Sequence, residues 1–340
     1  MVSKGNLIYY HLLLSWLSRI ILKNTIFDPC ITKFLFPTFV KNILMSLRKI
    51  LRGTGVAIIT PFAKDLSVDY TALGRVIDYN INNGVNYIVT LGTTGETPVL
   101  SSDEKKEIIY FTQKHINGRV PMVIGMGGND TASVIKDLQT YPLDGVAAVL
   151  SASPYYNKPS QEGIYQHYKA IAAASPKPLI LYNVPGRTGR NMTAATTLRL
   201  TQIENIAGIK EAGNDIQQVI EILKNRPENF AVISGDDDLV LPEMACGIDG
   251  VISVAANAFP KLFSTMVNQG LEYNFKDAVK INNQLLEVYK LLFVENNPAG
   301  VKAFLYEMKL IENILRLPGV PLSMELQEQA KKYIASNEVL

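Results

Sequence analysis

From Gly55 onward the chain alternates short, continuously apolar runs with longer stretches of helical periodicity. The runs are GVAIIT (55–60), NYIVTL (86–91), PMVIGM (121–126), GVAAVLSA (145–152), PLILYNV (178–184), IAGIKEA (206–212), FAVISG (230–235) and GVISVAA (250–256). They are apolar throughout rather than at every second residue, which predicts parallel strands buried on both faces. Helix starts fall between them: Ser102-Asp103-Glu104 ahead of KKEIIYFTQKHI, Ser160 ahead of QEGIYQHYKAIAAA, and Thr193 opening TAATTLRL. Eight β/α alternations with short connections predict an α/β fold of the (β/α)8 TIM-barrel type rather than an open doubly wound sheet. No G-x-G-x-x-G follows the first run, which further weakens a nucleotide-binding alternative. After residue 260 the strand signal stops. Residues 260–292 and 298–336 are predicted helical, a carboxy-terminal cap of about three helices. The expected organisation is an N-terminal extension over 1–44, a catalytic barrel over 45–259 and a helical region over 260–340.

Composition and charge narrow the function classes. With 47% apolar and 19% charged residues in 340, the chain can bury a large core, which excludes wholesale disorder. The net charge of +2 is unevenly spread: residues 1–44 hold five Lys/Arg against one acid, Asp28, and the remaining 296 hold 28 basic and 30 acidic residues. That balance excludes the basic excess that nucleic-acid binding needs. Cys30 and Cys246 are the only cysteines, and His11, His115 and His167 are widely scattered. Neither set suits a disulfide framework or a metal cluster. The run NLIYYHLLLSWLS (6–18) is thirteen residues long, short of the ~20 that span a bilayer. No small-x-small cleavage site follows it. Residues 1–44 are read as a dispensable extension ahead of a start at Met45, with a peripheral amphipathic segment and targeting as the alternatives.

In such a barrel, chemistry sits at the carboxyl ends of the strands. The second run ends in Gly92-Thr93-Thr94-Gly95-Glu96, a turn whose backbone N–H groups and hydroxyls suit a small anion and equally suit a helix cap. The fourth is followed by Pro154-Tyr155-Tyr156-Asn157-Lys158-Pro159, a tyrosine pair open to packing, subunit contact or function. The fifth ends at Tyr182, a phenol able to carry a proton, and runs into a Pro/Gly loop holding Arg187. The Arg187 guanidinium fork suits a carboxylate or a surface salt bridge. The sixth delivers Lys210, whose amine burial would make nucleophilic unless Glu211 or another acid pairs with it. A lysine, a tyrosine and a hydroxyl turn at three strand ends are the parts of a Schiff-base carbonyl enzyme. Asp236-Asp237-Asp238 after the seventh run argue against a phosphate site there, which points to an unphosphorylated keto acid.

Together, GTTGET (92–97), SPYYNKPSQEGIYQHY (153–168), YNVPGRTG (182–189), GIKEA (208–212), SGDD (234–237) and GVISVAAN (250–257) resemble the dihydrodipicolinate synthase family of pyruvate-dependent class I aldolases. The match runs from about Gly53 to the carboxy terminus. The Gly-Thr turn and the Tyr/Lys pair belong to the whole superfamily, whereas the PYYNKPSQEG loop and Arg187 are particular to the synthases. The resemblance implies that Lys210 forms an imine with pyruvate and that Thr94 and the turn backbone hold its carboxylate. It also implies a proton relay of Tyr182, Thr93 and Tyr156, and binding of L-aspartate-4-semialdehyde through Arg187. Gly235 and Ile252 join the substrate-binding residues. It implies no metal or organic cofactor, a homodimer or homotetramer in which a tyrosine of the PYYN loop meets the neighbouring relay, no membrane or nucleic-acid partner, and a cytoplasmic place in the diaminopimelate route to lysine.

The sequence departs from lysine-regulated members of the family. Ser102, Lys105 and Ser133 stand where those carry histidines and a glutamate, although Asn129 and Tyr155 remain. A cationic Lys105 would repel the amines of lysine, which argues against feedback inhibition. The competing readings are an aldolase for longer sugar acids and a catalytically silent barrel; the second should lack Lys210 or Tyr182, and this chain has both.

Overall fold

The structure, a computed structural model, describes residues 47–336. His11, Cys30, the 6–18 run and the whole of the expected extension lie outside the described residues. Eight strands pair in parallel in sequence order and close on themselves: β1 (Gly53–Ala57), β2 (Tyr87–Thr90), β3 (Met122–Gly125), β4 (Ala148–Ala152), β5 (Leu179–Asn183), β6 (Ile206–Glu211), β7 (Ala231–Ser234) and β8 (Gly250–Ser253). The ring closes where β1 meets β8 in the register Gly53↔Gly250 to Val56↔Ser253. All eight sit within or beside the apolar runs of the sequence, because both faces of each strand are covered. The first is displaced: pairing begins at Gly53-Thr54, which carry no apolar signal, and ends at Ala57 although the apolar run continues to Ile59.

Eight helices wrap the barrel, one after each strand: α1 (Tyr70–Asn82), α2 (Ser102–Ile116), α3 (Thr131–Thr140), α4 (Gln161–Ala174), α5 (Ala194–Leu200), α6 (Ile216–Asn225), α7 (Val240–Cys246) and α8 (Pro260–Leu271). Polar caps set most of their starts. Ser101, one residue before the expected position, accepts from Glu104 N while the Glu104 carboxylate takes Ser101 N, a reciprocal capping box. Ser160 and Thr193 cap α4 and α5 as the sequence suggests. Inside the barrel, Tyr87 is fully buried and its ring lies where a side chain at residue 55 would stand, 2.2 Å from an ideal Cβ. Gly55 therefore makes room for the ring, whose hydroxyl reaches across β1 to Val251 O at 3.2 Å.

The stretch 260–292, expected to be helical, holds two helices. The first, α8, packs on β1 and β8 and completes the barrel, so the helical cap proper begins after it. The break falls at Tyr273, a non-glycine residue at a left-handed φ of 62°, whose N–H closes the turn onto Gly270 O at 3.1 Å. Beyond it come α9 (Phe275–Phe293), α10 (Ala299–Glu307) and α11 (Met324–Ser336). The stretch between α10 and α11 is irregular, and Pro318 and Pro321 within it cannot supply the N–H groups a continuous helix needs. Phe259, Phe304 and Tyr333 stack edge to face with centroids 5.3–5.9 Å apart and fix α10 and α11 to the barrel. Among the described residues, no helix is long and apolar enough to cross a membrane.

Candidate active site

Parallel pairing places the two central side chains level with each other, because Tyr182 on β5 is the register partner of Lys210 on β6. Lys210 is 5% exposed and its Nζ lies 4.6 Å from the centroid of the Tyr182 ring. A cation over an aromatic face is held by the ring quadrupole without losing access to a substrate. The expected rival for Lys210, its neighbour Glu211, is occupied elsewhere: its two oxygens accept from Asn183 Nδ2 at 2.8 Å and Gln218 Nε2 at 3.0 Å. Among the described residues, no ion pair involves Lys210. Gly235, after β7, has a steric role toward the lysine, since a Cβ there would stand 2.9 Å from Lys210 Cε and 2.6 Å from Ala212 Cβ. Ile252 is fully buried within β8 opposite Gly55.

The barrel mouth holds a cleft of about 310 Å³ whose wall includes Thr93, Tyr182, Arg187, Tyr155 and Lys105. Thr93 and Thr94 form a single helical turn after β2, opened by Gly92 and closed by Glu96 in left-handed backbone at φ 52°. Thr94 is buried and its Oγ1 accepts from Asn297 Nδ2 at 2.9 Å. Arg187 lies on the helical turn Pro185–Thr188 after β5, and its Nη2 donates to Asn296 Oδ1 at 2.9 Å, which leaves most of its donors unengaged. Of the tyrosine pair, Tyr155 lines the cleft, whereas Tyr156 is 88% exposed at a left-handed φ of 69° and stands off it. Within one chain, then, Tyr182 and Thr93 share the cleft and Tyr156 does not join them.

Several acids are buried around the ends of β6 and β7 and in α7. Burial pushes Asp236 up to about 6, against the pull of the Lys210 charge, and pushes Glu211 and Glu243 up to about 7. Asp237 is also buried, and its Oδ2 accepts from Val254 N at 3.1 Å and Ala255 N at 2.7 Å. These are the amides just beyond β8 that barrels of this type offer to a phosphate, and here a carboxylate of the chain already takes them. The histidines are elsewhere. His115 meets Asp78 at 3.0 Å, and His167, which burial pushes down to about 4, meets Thr131 Oγ1 at 2.8 Å. Among the described residues, no group of three or more His, Cys, Asp or Glu is placed to hold a metal ion.

The sequence reading missed Asn296, Asn297 and a buried ion pair. Lys302 on α10 is fully buried, with Nζ 2.5 Å from Glu96 Oε1. Burial pushes its ammonium down to about 8, with Glu96 pulling the other way. No local signal marks these pairs, whose members are more than 100 residues apart.

A family model described as the dihydrodipicolinate synthetase family matches residues 50–337. The chain belongs to the dihydrodipicolinate synthetase family. The 4-hydroxy-tetrahydrodipicolinate synthase of Parabacteroides distasonis is 52% identical over 285 residues, which covers 84% of this chain and 96% of that protein. That of Phocaeicola vulgatus is 53% identical over 282 residues, 83% and 95% of the two chains. Among solved structures, the dihydrodipicolinate synthase of Thermotoga maritima superposes with a TM-score of 0.83 at 38% identity, covering 86% of this chain and all of that one. The chloride-inhibited enzyme of Acinetobacter baumannii, complexed with pyruvate, gives 0.83 at 40% identity, covering 85% of this chain and all of that one. The dihydrodipicolinate synthetase family is thus the setting in which the Lys210–Tyr182 pair and its cleft are read.

Proposed function

We propose that this chain condenses pyruvate with L-aspartate-4-semialdehyde to give 4-hydroxy-tetrahydrodipicolinate, the activity carried in its relatives' names. The observation that carries the reading is Lys210: buried, in no direct ion pair among the described residues, and against a tyrosine on the wall of a cleft that also presents Thr93 and Arg187. Its neutral amine attacks the pyruvate ketone, forming a C–N bond and losing the carbonyl oxygen as water to leave an imine. A proton then leaves the methyl carbon and the electron pair moves into the protonated imine, giving an enamine. The enamine carbon attacks the aldehyde, and Tyr182 carries protons to and from the reacting oxygens. The amine of the semialdehyde attacks the imine carbon in turn, closes the ring and releases Lys210.

Each remaining group has a part in this scheme. Thr94 and the Gly92–Gly95 backbone hold the pyruvate carboxylate, and Arg187 holds that of the semialdehyde. Gly235 keeps the space in which Lys210 moves, and Ile252 belongs to the apolar wall around pyruvate. The relay is completed by Tyr156 of the partner subunit, which accounts for an exposed aromatic held on a left-handed backbone, a conformation a chain keeps only where the surroundings require it. A homodimer or homotetramer is therefore the working form, placed in the cytoplasm in the diaminopimelate route to lysine. Residues 1–44 take no part in the chemistry. Lys105 on the cleft wall sets a positive charge against a lysine amine, so feedback by lysine is not expected.

The reading is tested by offering the protein pyruvate with aspartate-4-semialdehyde, and separately sialic acid and keto-deoxy sugar acids in the cleavage direction. Synthase turnover with no sugar-acid cleavage is expected. Preferential cleavage of a sugar acid would move the chain to the pyruvate-releasing aldolases.

A further inference from the structure

Glu96 closes the turn proposed to hold the pyruvate carboxylate, and it does so in a backbone conformation that glycine takes most readily. A glycine would relieve the backbone there but could not be held from outside. The Glu96 carboxylate is held at both oxygens, and both partners come from beyond the barrel. Lys302 Nζ reaches Oε1 at 2.5 Å and the Arg316 backbone N reaches Oε2 at 3.1 Å. Lys302 is fixed in turn by Ile314 O at 2.9 Å and lies over the Phe62 ring at 4.3 Å, which Arg316 covers at 4.5 Å. The charge is balanced locally, because Arg316 pairs with Glu104 at 2.5 Å. From the same C-terminal region, Asn297 donates to Thr94 Oγ1 at 2.9 Å. An amide N–H donating to that oxygen leaves the Thr94 hydroxyl hydrogen free to point at an anion.

We propose that Lys302 is a positioning residue for pyruvate: through Glu96 it fixes the Thr93–Glu96 turn, so that the C-terminal helical part sets the affinity for the first substrate. Arg187 is hydrogen-bonded to the same region through Asn296, whose Oδ1 also accepts from Asn297 N at 2.9 Å, but its hydrogen-bond partners include neither Glu96 nor Lys302, so the Lys302–Glu96 link does not reach the second substrate. The inference rests on the reading of the turn as the carboxylate site.

The test uses the full-length protein carrying Glu96→Gln together with Lys302→Met, which removes both charges of the buried pair and leaves the Arg316–Glu104 pair intact. Removing Lys302 alone would strand a buried carboxylate and endanger folding. Two constants are read: the pyruvate concentration that half-saturates borohydride trapping, and the KM for aspartate-4-semialdehyde at saturating pyruvate. The first is expected to rise about tenfold or more, as for a small displacement of a binding group, and the second to stay within about twofold. A merely structural pair would lower the melting temperature and the active fraction while leaving both constants in place, and that result overturns the proposal. So does an equal rise in both. Should the paired variant not fold, Glu96→Asp, which keeps both buried charges but shortens the reach from the turn to Lys302 by one methylene, gives the same comparison. Absence of trapping in the unsubstituted protein would strike the imine reading instead of the clamp.

Discussion

Replacing Arg187 by alanine separates the two substrates. Its Nη2 is tied to Asn296 by one bond of 2.9 Å, and the rest of the guanidinium faces a cleft shared with Thr93 and Tyr182. Pyruvate is assigned to a different turn, so the loss should fall on the semialdehyde. A bidentate grip on a carboxylate supplies two charge-assisted bonds of roughly 1.5–3 kcal/mol each, reduced here because the side chain is exposed. A net loss of about 2–4 kcal/mol in transition-state binding follows, a fall of roughly 30- to 1,000-fold in kcat/KM for the semialdehyde. The Asn296 bond is an exposed neutral–cation contact, so its loss accounts for little of this and should not lower the melting temperature measurably. The assay varies the semialdehyde at saturating pyruvate and, in parallel, measures borohydride trapping with pyruvate alone. Trapping at the unsubstituted rate beside the kinetic loss is the expected outcome. Equal damage to trapping and to semialdehyde use would show that Arg187 holds the loop rather than the substrate.

Tyr182→Phe keeps the ring beside Lys210 and removes only the phenol, so kcat should drop about 100-fold or more at unchanged stability; a change under about threefold would place proton transfer on another group. Glu243→Gln tests the buried acids: burial raises the Glu243 carboxyl from its ordinary 4.5 to about 7, so its destabilising effect is absent below about pH 4.5 and grows as pH climbs through 7. The variant should match the parent at pH 4.5 and be more stable at pH 8, by at most about 3 kcal/mol, in denaturant titrations; a pH-independent difference would refute the assignment. A chain beginning at Met45 should retain turnover and oligomeric mass, since every candidate site residue lies between Thr93 and Ile252, and loss of either on truncation would make the first 44 residues part of the enzyme.

The barrel was legible because a strand covered on both faces must be apolar at every position, and eight such runs leave little else to build. The ends were less so. Gly53-Thr54 pair with β8 through backbone alone, and the stop after α8 is made by a tyrosine in left-handed backbone, where glycine is the usual residue. Of the site, Lys210, Tyr182, Thr93 and Arg187 were visible as polar residues ending apolar strands or opening the loops after them. What was not visible is what holds them. Asn296 reaches Arg187 across 109 positions, and Lys302 reaches Glu96 across 206. The role of Gly235 in making room for Lys210 depends likewise on how β6 and β7 stand side by side. Such contacts are products of barrel closure, and local patterning does not encode them. Tyr156 is a different case, a residue whose proposed partner belongs to another copy of the chain.

The central claim is that Lys210 forms the imine. The direct measurement is reduction of the protein with borohydride in the presence of pyruvate, followed by peptide mass mapping, on the unsubstituted chain and on Lys210→Ala. The account predicts one pyruvate-derived adduct per chain, carried on the peptide that contains Lys210 and absent from the variant. An adduct that maps to another lysine, or that persists undiminished in Lys210→Ala, would contradict it.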